Sequence, residues 1–130
     1  MKRRAALLGA IVACTGAIAC ELPPGGQEIV SRDRGIALSY RPDPAGLAVD
    51  RQFSLIVHVC SKAPIDGLTV DAHMPDHRHG MNYKPSVALT APDTWRANGL
   101  LLHMPGKWEF LFGLRVNGKT ERLAHAVQVR

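Results

Sequence analysis

The chain has 130 residues, with sixteen Lys and Arg against eleven Asp and Glu, six His and three Cys. That length suits one domain with its own core. Lys2, Arg3 and Arg4 fall in a leader, and without them the balance is thirteen to eleven, so the basic character is no nucleic-acid signature.

Met1 to Arg4 is a basic start, and Ala5 to Ala19 is an uncharged apolar run ending in the small-x-small site Ala17-Ile18-Ala19. Residues 1–19 therefore read as a secretory signal, too short for a comfortable membrane span. Cys20 follows directly, and Ala17-Ile18-Ala19-Cys20 looks like a lipoprotein box that would make Cys20 the lipidated first residue. Ile11-Val12-Ala13-Cys14 fits that consensus better but leaves an apolar run of only about nine residues. The expectation is export, with the protein held on the periplasmic face of the membrane through Cys20. Secretion as a soluble periplasmic protein is the alternative. With Cys14 removed and Cys20 acylated, Cys60 stands alone and no intrachain disulfide is expected.

Residues 20–34, with Pro23-Pro24-Gly25-Gly26, read as a tether, and 35–130 as the domain. No segment of the domain holds a helical period. Ile36 to Arg41 reads as a strand closed by Pro42-Asp43-Pro44. Gln52 to Cys60 follows, with Phe53, Leu55, Val57 and Val59 on one face and His58 and Cys60 on the other. Gly67 to Met74 alternates Leu68, Val70, Ala72 and Met74 against Thr69, Asp71 and His73. Val87 to Thr90 and Trp95 to His103 are further strands. Lys107 to Val116 and Lys119 to Val129 flank Asn117-Gly118, a strong two-residue hairpin signal. That turn sets Trp108 opposite Val127, Phe110 opposite His125 and Phe112 opposite Leu123. About seven short strands and no helix predict an all-β, immunoglobulin-like β-sandwich.

The chemistry concentrates in Asp71 to Tyr83, which holds three of the six His. His-Met-Pro occurs twice, at His73 to Pro75 and His103 to Pro105, and each non-initiator Met lies within two residues of a His. Imidazole with thioether is a ligand set for soft or borderline metals, copper above all. Zinc fits less well, since Met is a poor zinc ligand and no Cys pair flanks the loop. His77, His79 and Met81 are the first-choice ligands, with Met74, His103 and Met104 beside them. If each triplet ends a strand, both arrive at one end of the sandwich. Packing competes with this reading. Met74 and Met104 alternate with apolar neighbours and fit a core, whereas a Met in the polar loop at 81 is harder to explain by packing. Asp71 and Asp76 are candidate orienters of the imidazoles. His125, opposite Phe110, reads as a hydrogen-bonded core residue. His58 and Cys60 read as a strand end rather than a metal pair.

Enzymatic signatures are missing from the sequence. Ser54, Ser61 and Ser86 lack a nucleophile-elbow context, and there is no His-Glu-x-x-His. No glycine loop suited to phosphate opens a helix. A non-enzymatic protein is expected.

Met74-Pro75-Asp76-His77-Arg78-His79-Gly80-Met81 and Met104-Pro105-Gly106-Lys107-Trp108 resemble the paired stretches of the YtkA-like domain family, often grouped with FixH-like proteins. The resemblance runs from about Phe53 to Val129. It implies an extracytoplasmic β-sandwich, often tethered to a membrane, with a link to copper handling or respiratory-oxidase assembly. A partner in a membrane redox complex is the corresponding expectation, and a metal-free adaptor of such a complex the alternative. FixH-like relatives are typically held by a membrane helix, and here only the leader is apolar enough to serve export.

Overall fold

The computed structural model describes residues 20–130. The leader and the Cys14 box lie outside them. Among the described residues there are nine strands: β1 (Gln27–Ser31), β2 (Ile36–Asp43), β3 (Phe53–Ser61), β4 (Ile65–Met74), β5 (His79–Gly80), β6 (Ser86–Ala91), β7 (Thr94–Leu100), β8 (Gly106–Val116) and β9 (Lys119–Val129). They form two antiparallel sheets, ordered β1-β2-β3-β7-β6 and β5-β4-β8-β9. Strands β2-β3-β7-β6 against β4-β8-β9 reproduce the immunoglobulin order, with β1 and β5 added at edges.

The alternation read from the sequence is what builds the core. Leu55, Val57 and Val59 of β3 meet Val70 and Ala72 of β4 and Trp108, Phe110, Phe112 and Leu114 of β8 in one buried cluster. The C-terminal hairpin has the expected register, with Trp108 opposite Val127, Phe110 opposite His125 and Phe112 opposite Leu123. Asn117 and Gly118 both take positive φ, 50° and 75°, as a tight turn matched to strand twist requires. Tyr40 reaches across to β9, where its hydroxyl is hydrogen-bonded to His125 Nδ1 at 2.6 Å. His125 is thus hydrogen-bonded, as expected, and burial pushes the Tyr40 phenol up to about 12.

Two expectations about the N-terminal part are corrected. Residues 27–31, read as tether, form β1 and pair along β2 from Gln27↔Tyr40 to Ser31↔Ile36. Cys60 is not alone: it is disulfide-bonded to Cys20, with a Cα–Cα distance of 5.5 Å, within the usual range. The bond uses the same Cys20 sulfur that acylation would require. His58, on the same face, gives its Nδ1 to Thr94 Oγ1 at 3.1 Å. Burial, helped by the Arg41 charge, lowers its pKa.

The sandwich has two distinct ends. At one lie Cys20, the end of β3 and the Asn117-Gly118 turn. At the other lie the start of β3, the end of β4 and the start of β8. There Phe53 pairs Leu100, His73 pairs Glu109 and Gly106 pairs Val129. Nine residues of β3, eight steps of about 3.4 Å, separate the ends by about 27 Å.

Candidate metal centre

Both His-Met-Pro triplets arrive at the end away from the disulfide, by different local routes. Met74 closes β4, and Pro75 begins a single 3-10 turn, Pro75–His77, because its missing N–H ends the ladder. Arg78 then takes a left-handed conformation at φ 54° and reverses the chain. His79 and Gly80 return along β4 as β5, placing His79 opposite Met74 and Gly80 opposite His73. The Met81 amide donates to the Ala72 carbonyl at 3.2 Å, which anchors the loop. His77 and His79 were expected to share a face of extended chain. They instead flank a left-handed residue, yet their ring centres are only 5.8 Å apart.

The second triplet does not end a strand, contrary to expectation. β7 stops at Leu100, just after Gly99 at φ 86°, and His103 lies in the loop that leads into β8. Two contacts fix that loop. The Trp108 indole donates to the Met104 carbonyl at 2.9 Å. Gly106 sits at φ 126°, and a Cβ there would come within 3.0 Å of Met74 Cε. Met74 of the first triplet therefore packs against Gly106, the residue that follows the second.

Side chains from both triplets then gather over the end of the core. The His79 and His103 rings are 5.2 Å apart, and Trp108 lies edge-to-face with both, at 6.1 and 5.5 Å. Since residues directly opposite in a ladder project to the same face, His79 shares the inner face with Met74, which is 1% exposed. Met81 and Met104 are partly buried and pack against the core here.

The hydrogen bonding says which nitrogens are free. The His79 Nδ1–H donates to the Gly80 carbonyl at 3.2 Å, and this tautomer leaves Nε2 with its lone pair. His103 Nδ1 is buried and has no hydrogen-bond partner. Because metal–nitrogen bonds are about 2 Å, rings 5.2 Å apart can share one ion. Among the described residues no three His, Cys, Asp or Glu side chains converge as a metal-holding group. At most two such side chains therefore stand together here, and fuller coordination would need donors of another kind, for which the thioethers of Met81, Met104 and Met74 are the candidates.

Other residues are placed apart from this cluster. His73 is on the outer face of β4, with Nε2 3.0 Å from Glu109 Oε1 across the ladder. Asp71 does not orient an imidazole; it accepts from Lys84 Nζ and the Ala72 amide. Asp76 lies exposed in the 3-10 turn. Sequence reasoning missed Trp108 as a neighbour of the imidazoles. It was legible only as a core residue, since nothing in the spacing shows that its ring closes the loop. No protein-family model, curated protein or solved structure matches this chain significantly.

Proposed function

We propose that this protein is an exported copper-binding protein of the YtkA-like type, which chaperones or buffers the ion outside the cytoplasm and serves a respiratory-oxidase assembly or a similar membrane redox complex. The observation that carries the reading is the buried, unpartnered Nδ1 of His103, 5.2 Å ring-to-ring from a His79 whose Nε2 is free. A buried polar atom without a partner costs about 1–3 kcal/mol. A metal ion relieves that cost. Two imidazoles with nearby thioethers favour Cu(I), which accepts few ligands and soft sulfur; Cu(II) prefers more nitrogen or oxygen donors. The residues in first position are His79, His103, Met81 and Met104, with His77 next to His79. The Cys20–Cys60 disulfide supports an oxidising compartment outside the cytoplasm.

The test is an anaerobic Cu(I) titration of the disulfide-bonded protein against a chromophoric chelator, with the double variant His79→Ala/His103→Ala in parallel. One-to-one binding in the wild type that disappears in the variant supports the reading. Failure of the wild type to compete for Cu(I) rejects it, and the sandwich is then better treated as a metal-free adaptor to be probed by pull-down from membranes.

A further inference from the structure

Trp108 is fully buried, yet its indole lies against both candidate ligand rings at once. Its single polar atom is already committed, because the N–H donates to the Met104 carbonyl. The indole therefore offers the site no ligand atom, only carbon and π surface. It also holds the backbone of the residue after His103, so the same side chain sets where the His103–Met104 turn lies. Met74, buried beside it and opposite His79, extends this dry floor.

We infer that Trp108 is the specificity-determining floor of this site: it borders the ion shared by His79 and His103, excludes water from the inner side, and selects Cu(I) over Cu(II). The inference rests on the copper reading above. Its logic is one of ligand number. Cu(II) needs additional nitrogen or oxygen donors, normally water, where Met and imidazole run out. A wall of indole supplies none and keeps water away. Cu(I) is content with the two imidazoles and a thioether, and a cation within about 6 Å of an indole centre is attracted by the ring's negative face. Trp108 is a positioning residue for the loop and a π neighbour for the ion; it is not itself a ligand.

The experiment uses the disulfide-bonded protein in three forms: wild type, Trp95→Phe, and Trp108→Leu. Trp95 is on β7, away from the imidazoles, so Trp95→Phe leaves Trp108 as the lone tryptophan, to be excited selectively over the two tyrosines. Each form is titrated with Cu(I) anaerobically and with Cu(II) separately, against competitors suited to each. Saturating Cu(I) is expected to quench Trp108 emission in Trp95→Phe. Trp108→Leu is expected to lose about tenfold in Cu(I) affinity, with Cu(II) affinity changed by less than about threefold, so that the preference narrows. If Trp108 emission does not respond to bound Cu(I), or a cooperatively folded Trp108→Leu keeps the wild-type preference, the inference is overturned while copper binding stands. If Trp108→Leu fails to fold, the emission of Trp95→Phe decides alone. If the wild type binds neither ion, the copper reading falls, and this inference falls with it.

Discussion

Replacing His103 by Leu separates a ligand from a structural histidine, because the two roles predict opposite signs. His103 Nδ1 is buried with no hydrogen-bond partner in the metal-free protein. An unsatisfied buried polar atom of this kind costs about 1–3 kcal/mol. His103→Leu removes that atom, and the exchange of a similar-sized side chain gives back part of the gain through imperfect repacking. The expected net effect on the metal-free protein is a stabilisation of about 1 kcal/mol, or about 4 °C in Tm for a domain of this size. Cu(I) at a hundredfold over its Kd should add about 2.7 kcal/mol to the wild type and nothing to the variant. The assay is thermal unfolding followed by circular dichroism, first with a chelator and then with Cu(I) under nitrogen. A variant that is less stable than the wild type by 1 kcal/mol or more without metal, or that keeps the Cu(I)-induced shift, refutes the reasoning.

Three further outcomes are expected. The Cys20–Cys60 bond closes a loop across a sequence separation of 40, and on the chain-entropy model its removal in Cys20→Ser/Cys60→Ser costs about 4 kcal/mol; peptide mapping of the exported protein should recover the Cys20–Cys60 pair, and a diacylglyceryl group on the Cys20 sulfur would contradict it. Tyr40 is held neutral up to about 12 while an unfolded tyrosine ionises near 10. The unfolded chain thus binds fewer protons above pH 10, and stability should fall by at most about 1.4 kcal/mol per pH unit between pH 10 and 12, a slope that denaturant titrations should find flattened in Tyr40→Phe. Gly106→Ala forces a side chain to φ 126° and against Met74, so urea unfolding should show a loss of about 1–3 kcal/mol; an unchanged midpoint would mean that Gly106 is not held against Met74 in this conformation.

What the sequence carried well was whatever followed from period and turn chemistry. Asn117-Gly118 admits a two-residue turn, and once the turn is placed the pairing of Trp108 with Val127 follows by counting. The inward faces of β3 and β4 follow from alternation, because one face of each had to be buried. Features that depend on distant segments were not legible in this way. β1 is an edge strand whose residues are mostly exposed, so its five residues carry no alternation to set them apart from a tether. The Cys20–Cys60 bond joins positions 40 apart that only the folded chain brings within reach. The end of β7 at Leu100 depends on the backbone at Gly99, and no Pro marks it. The candidate site was half legible: residue types alone singled out both triplets as candidate soft-metal ligands. The pairing of His79 with His103 arose from the left-handed turn at Arg78, a conformation that an Arg does not advertise.

The polarity of the sandwich decides how the protein can be handled. Val129 pairs with Gly106, so the chain after β9 leaves the sandwich beside the imidazoles, whereas Cys20 enters about 27 Å away. An oligohistidine tag added after Arg130 would hang within reach of the proposed copper site and would compete with it in the titrations that test it. The same tag placed ahead of Cys20 would be a sandwich-length distant. A chip or electrode coupled at the N-terminal side would likewise present the His79–His103 pair to the solution, and coupling at Arg130 would press that pair against the surface.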